Sequence, residues 1–80
     1  NAHNNLGIAL ARQGNTQEAI REFSEAVRIR PDFAEAHLNL GIALESQKKS
    51  AEAIPHFSEA LRINPNMREA QRRLDSIQNR

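Results

Sequence analysis

The chain repeats itself at an offset of 34 residues. Set against one another, residues 1–31 and 35–65 agree at 19 of 31 positions. Ala2-His3 returns as Ala36-His37, and Asn5-Leu6-Gly7-Ile8-Ala9-Leu10 as Asn39-Leu40-Gly41-Ile42-Ala43-Leu44. Glu18-Ala19-Ile20 returns as Glu52-Ala53-Ile54, Phe23-Ser24-Glu25-Ala26 as Phe57-Ser58-Glu59-Ala60, Arg28-Ile29 as Arg62-Ile63, and Pro31 as Pro65. A fixed period of this size restricts the fold to one supersecondary unit, duplicated and stacked on itself, because one such unit cannot bury its own apolar stripe.

Within each unit the apolar residues follow helical spacing. Leu6 and Leu10 lie four apart, as do Ala19 and Phe23, and Ala26 and Val27 follow Phe23 at three and four. Helix formers dominate, with only three Gly and three Pro in 80 residues. Gly14-Asn15 interrupts the first helical stretch, and a proline disfavours the α region for the residue before it, so Pro31 and Pro65 close the second and fourth. Asn15 with Glu18, Asp32 with Glu35 and Asn66 with Glu69 have capping-box spacing. These signals predict helices over 2–13, 16–30, 33–46, 50–63 and 67–79. Pro55, one turn inside the fourth, is expected to remove a hydrogen bond and bend it mildly. Lys48 stands where the first unit has Gly14, so a left-handed backbone there would cost it about 1 kcal/mol.

The pattern resembles the tetratricopeptide repeat. It stands here as His3-x-x-Leu6-Gly7-x-x-Leu10, Ala19-x-x-x-Phe23 and Pro31, then as His37-x-x-Leu40-Gly41-x-x-Leu44, Ala53-x-x-x-Phe57 and Pro65. His3, His37, Leu10 and Leu44 occupy places where the family has Trp and Tyr. The resemblance implies an all-α fold: a right-handed superhelical α-solenoid of antiparallel helical hairpins. Two tetratricopeptide repeats (1–33 and 34–67) and a C-terminal capping helix (68–80) form a single domain, expected to be an excerpt of a longer protein. Gly7 and Gly41 allow close helix approach, while Phe23 and Phe57 are expected to fill the gaps between hairpins. In the last segment Ala70 and Leu74 keep the pattern and Asp75 replaces the glycine, as suits a cap with a polar outer face. Leu6 and Leu10 are expected to face outward at the uncapped N-terminal end, which makes self-association or marginal stability the expectation for the isolated chain.

The resemblance also implies a function. The first helices of the hairpins line a concave groove that holds an extended peptide. The candidate groove residues are Asn4, Asn5, Ile8 and Arg12, then Leu38, Asn39, Ile42 and Glu45, with Arg72, Arg73 and Ser76 on the capping helix. Asn5 and Asn39 are one repeat apart, and an asparagine amide matches a peptide's carbonyl and N–H together. In this they resemble the asparagine-ladder superhelices, such as that of the O-linked N-acetylglucosamine transferase. Ile8, Ile42 and Leu38 would then contact side chains, and Arg72 and Arg73 would favour acidic residues. The carboxylate clamp of co-chaperone repeats fits less well. It wants Lys, Asn, Asn, Lys and Arg where this chain has Asn4, Ile8, Asn39, Glu69 and Arg73, so only Asn39 and Arg73 agree.

Other function classes find little support. Lys+Arg 11 against Asp+Glu 10 leaves a formal charge of +1, without the clustered basic face of a nucleic-acid or membrane-surface binder. No apolar run approaches the ~20 residues of a membrane span. Cys is absent, which removes disulfides and thiolate chemistry and fits a reducing compartment such as the cytoplasm. His3 and His37 are repeat-equivalent, but without further ligands a packing role is expected for them rather than a metal site; His56 is expected on an outer helix. Ser24, Ser58 and pairs such as Glu22 with Glu25 read as helix-surface residues rather than catalytic groups. The expectation is a non-enzymatic scaffold with a protein or peptide partner and no cofactor. Two alternatives stand beside it: a self-assembly module using the N-terminal face, and an accessory domain of an enzyme whose catalytic part lies outside this chain.

Overall fold

A computed structural model describes residues 1–79; of the expected capping segment, Arg80 lies outside the described residues. Five helices follow one another: α1 (Ala2–Arg12), α2 (Thr16–Ile29), α3 (Ala34–Ser46), α4 (Ser50–Ile63) and α5 (Arg68–Gln78). Each lies within about a residue of its predicted bounds. α1 packs on α2 and α3 on α4 as hairpins, the hairpins meet through α2 and α3, and α5 closes on α4. This is the all-α helical-repeat solenoid that the 34-residue period implies.

The hairpins close where glycine meets phenylalanine. A Cβ at Gly41 would fall 2.6 Å from Phe57 Cε1, and one at Gly7 would fall 2.5 Å from the same atom of Phe23. No side chain fits at that distance, so glycine lets each ring lie directly on the facing backbone. Phe57 is fully buried and Phe23 is 2% exposed. The two rings thus seal the inside of each hairpin, rather than only the gaps between hairpins. Ala19, Ala26, Ala53 and Ala60 are also fully buried and keep the second helices close to their neighbours.

α3 is the structural centre. Ala36, His37, Leu38, Leu40, Gly41, Ala43 and Leu44 are all buried on it, more than half of its 13 residues. A helix apolar on several sides suits a position with packed neighbours on several sides. Leu40 and Leu44, enclosed by this packing, each contribute about 1.5–3 kcal/mol. On α5, Ala70 and Leu74 are buried and Ile77 is half-buried against the same core, as expected of the closing helix.

The turns repeat as faithfully as the helices. Asn15 N–H donates to Leu10 O at 2.9 Å and Gly14 N–H to Ala11 O at 3.1 Å; Lys49 and Lys48 copy these bonds to Leu44 O and Glu45 O. This is a Schellman ending, which needs one left-handed residue. Gly14 adopts it at φ 85° and Lys48 at φ 61°, so the lysine carries the strain that its alignment with glycine implied. The expected capping boxes do not form. No side chain caps α2, and α3 and α5 begin one residue later than that spacing required, with Phe33 and Met67 at the N-cap. The turns instead close through backbone bonds from Phe33 N–H to Arg30 O and from Met67 N–H to Asn64 O. α1 does have a side-chain cap: Asn1 Oδ1 accepts from the N–H groups of His3 and Asn4. α4 runs unbroken through Pro55. The proline and Ala51, whose carbonyl it leaves without a helical partner, are both exposed to water.

The histidines separate the two hairpins chemically. In the first, His3 Nδ1 lies 2.8 Å from Glu22 Oε1. In the second, the residue equivalent to Glu22 is His56, whose Nδ1 lies 3.3 Å from His37 Nδ1. His37 Nε2 is 2.9 Å from Pro31 O, a contact that requires the proton on Nε2 and leaves Nδ1 to accept from His56. Burial, reinforced by neighbouring His37 and partly opposed by Glu52, pushes the His56 pKa below the ordinary histidine range. The unfolded chain therefore binds the extra proton more readily. Stability is complete above about pH 6.5 and falls as the pH drops below it towards the folded pKa. Thermal melts from about pH 7.5 to about pH 5.5 are expected to show a falling midpoint in the native chain. His56→Glu removes the group whose pKa is lowered, so the fall is expected to be reduced. Equal pH slopes in the two proteins would contradict this account.

Candidate functional site

Equivalent positions recur one repeat apart on α1, α3 and α5: Asn5, Asn39 and Arg73, then Ile8, Ile42 and Ser76, with Ala11 and Glu45 following on α1 and α3. Two clefts open between these helices. One, of about 380 Å³, lies between α1 and α3 and is lined by Ile8, Ala11, Arg12, Asn39, Ile42, Ala43 and Ser46, with Thr16 and Phe23 of α2. The other, of about 300 Å³, lies between α3 and α5 and is lined by Glu45, Glu69, Arg72, Arg73 and Ser76.

The first cleft is apolar inside and polar at its edge. Ile8 and Ile42 approach it from adjacent repeats, and the same Phe23 ring that packs on Gly7 borders it. Asn39 stands on its margin. Its Nδ2 donates to Asn4 Oδ1 at 3.0 Å, a bond from one repeat to the next. Among the described residues, nothing in the chain bonds Asn39 Oδ1. Arg12 is exposed on the rim and has no ion-pair partner among the described residues.

The second cleft is charged and largely self-neutralised. Arg73 donates through Nε to Glu69 Oε2 at 3.0 Å and through Nη1 to Glu45 Oε1 at 3.3 Å. Glu45 is the more enclosed partner, so its pairing ties α5 to α3. Arg72 is exposed beside this pair.

The candidate residues therefore separate by position. Ile8, Arg12, Asn39 and Ile42 come together around the first cleft, and Glu45, Arg72 and Arg73 around the second. Asn5 is exposed and lines neither. Asn4 and Leu38 depart from expectation, since they are buried at 4% and 7% exposure and belong to the packing between helices rather than to an open groove. Asn4 tolerates burial because Asn39 bonds its amide oxygen. Ala11, Ala43, Ser46, Thr16 and Phe23 line the first cleft without having been singled out. Ala11 carried a sequence signal, because the second repeat has Glu45 in its place. Among the described residues no group of three or more His, Cys, Asp or Glu is placed to hold a metal, and no helix is long and apolar enough to cross a membrane.

Comparison with curated proteins finds no match for the chain. A comparison with known families matches the tetratricopeptide repeat over residues 4–68, a span that includes α1 to α4 almost entirely. Repeats of this kind generally mediate protein–protein interactions and act as non-catalytic scaffolds. With the family match, the 34-residue period and five stacked helices in agreement, the chain belongs to the tetratricopeptide repeat family.

Proposed function

We propose that the chain is a non-catalytic binding module that holds an extended segment of a protein partner across α1, α3 and α5. The observation that carries this reading is Asn39. It sits at the margin of an open cleft with one amide donor spent on Asn4 and its oxygen unengaged among the described residues. An amide so placed accepts from a peptide N–H whatever the side chain, and a second donor on the same nitrogen reaches a carbonyl. Exposed Asn5 and half-buried Arg73 hold the equivalent positions on either side, which extends the row of polar side chains along the groove.

Asn39 has a second role that sets the form of the test. Asn39→Ala leaves buried Asn4 with an unpaired oxygen and is expected to cost about 1–2 kcal/mol of stability. Asn5→Ala, at an exposed site, leaves the melting temperature unchanged. Against a peptide selected from a random library and measured well below melting, Asn5→Ala with Asn39→Ala is expected to weaken binding about tenfold, the loss of one or two hydrogen bonds. Equal affinity in the double variant would overturn the reading.

A second reading is favoured by one comparison between equivalent residues. Leu40 is 3% exposed, whereas Leu6, in the same place on α1, is 49% exposed. Copies of the chain joining through this face would cover it. Sedimentation equilibrium would then show a mass that rises with concentration and returns to that of a monomer in Leu6→Glu. A concentration-independent monomer would exclude self-assembly.

A further inference from the structure

The two clefts differ because the repeats differ at the positions that line them. Between α1 and α3 the cleft is bordered by Ala11, Asn39 and Ile42. At the equivalent positions the cleft between α3 and α5 is bordered by Glu45, Arg73 and Ser76. Ala gives way to Glu, a neutral amide to Arg and Ile to Ser, so the second cleft is the more polar at every one of these positions. A partner's apolar side chain can lose its water in the first cleft against Ile8, Ile42 and Phe23. In the second it would strip water from the Arg73 pairs with Glu45 and Glu69 without replacing it.

The charges along the groove point the same way. Glu45 and Glu69 are already paired with Arg73. Arg12 at the rim of the first cleft and Arg72 at the rim of the second have no ion-pair partner among the described residues. The four charges of the second cleft sum to zero, so the charge left uncompensated is that of Arg12 at the first, and its complement is a carboxylate.

We propose that the α1–α3 cleft is the groove's apolar socket, taking one leucine-, isoleucine- or phenylalanine-sized side chain from an acidic extended segment, with Arg12 pairing a carboxylate beside that residue. This rests on the groove reading above and adds to it a register. A bound segment lies in the one alignment that seats its apolar residue between Ile8 and Ile42. The Asn39 oxygen at the socket's edge meets the backbone of that residue, so side-chain choice and backbone contact coincide there. The charged second cleft then receives a polar part of the segment. Its contribution is to exclude the frame shifted by one repeat, since specificity needs a disfavoured alternative as well as a favoured one.

The test is selection of peptides from a random phage-displayed library on the 80-residue chain and on two variants. Ala11→Glu copies the second cleft's acid at an exposed position of α1, so circular dichroism should be unchanged; Arg12→Gln removes the rim charge alone. The native chain is expected to select one large apolar residue with an acidic neighbour. For a synthetic peptide of the selected sequence, followed by fluorescence anisotropy, replacing the apolar residue by Ala should lower affinity about tenfold or more on the native chain. The same replacement should matter little on Ala11→Glu. Arg12→Gln should abolish the acidic preference and keep the apolar one. Peptides that bind with no apolar preference, or one untouched by Ala11→Glu, would overturn the socket and leave the groove reading standing. A chain that selects no peptide would overturn both.

Discussion

Everything in this fold is referred to the contact between a glycine and a phenylalanine across each hairpin. Gly41 and Phe57, like Gly7 and Phe23, approach too closely for any side chain at the glycine, and the ring takes the place of the missing Cβ. That contact sets the separation of the paired helices. Fully buried alanines on α2 and α4 then let the next helix come as near. The same interaction made twice, 34 residues apart, gives two hairpins of the same internal geometry. Stacking them through α2 and α3 makes α3 the buried centre of the molecule.

The groove follows from that regularity, and its chemistry from departures from it. Repeated helices put positions 5, 39 and 73 in register, as they do 8, 42 and 76. The scaffold thus decides where side chains stand, and the sequence of each repeat decides what they offer. Ala11 and Ile42 leave an apolar cleft on one side of α3. Glu45 and Arg73 tie α3 to α5 with an ion pair on the other. The histidine contacts follow the same rule. Exchanging Glu22 for His56 at one repeated position turns a histidine–carboxylate contact into a histidine pair that acid opposes.

Most of the fold was legible because it rests on local spacing and on repetition. The period located all five helices, and aligning Lys48 with Gly14 disclosed a left-handed lysine before any geometry was known. Capping was misread because Asn or Asp three residues before Glu says nothing of the turn that delivers it. After Pro31 and Pro65 the backbone closes its own bonds, and Phe33 and Met67 become the caps. The site was legible in part. Residues at the open side of their own helix, Ile8 and Arg12 on α1 and Asn39 and Ile42 on α3, follow from helical phase. Whether Asn4 and Leu38 are covered depends on the crossing of α1 with α3, which no local pattern encodes. The Asn4–Asn39 and His37–His56 contacts join residues 35 and 19 apart, and their signal lay in the mismatches between the repeats rather than in the matches.

The central claim is that the face of α1 and α3, and not the outer face of α2 and α4, receives the partner. Chemical-shift mapping tests it most directly, by titrating a library-selected peptide into the isotope-labelled chain and following backbone amides. The account predicts the largest shifts at Ile8, Ala11, Asn39 and Ile42, with Ser24 and Ser58 on α2 and α4 unmoved. Shifts concentrated at Ser24 and Ser58, or around Leu6, with the cleft residues silent, would contradict it.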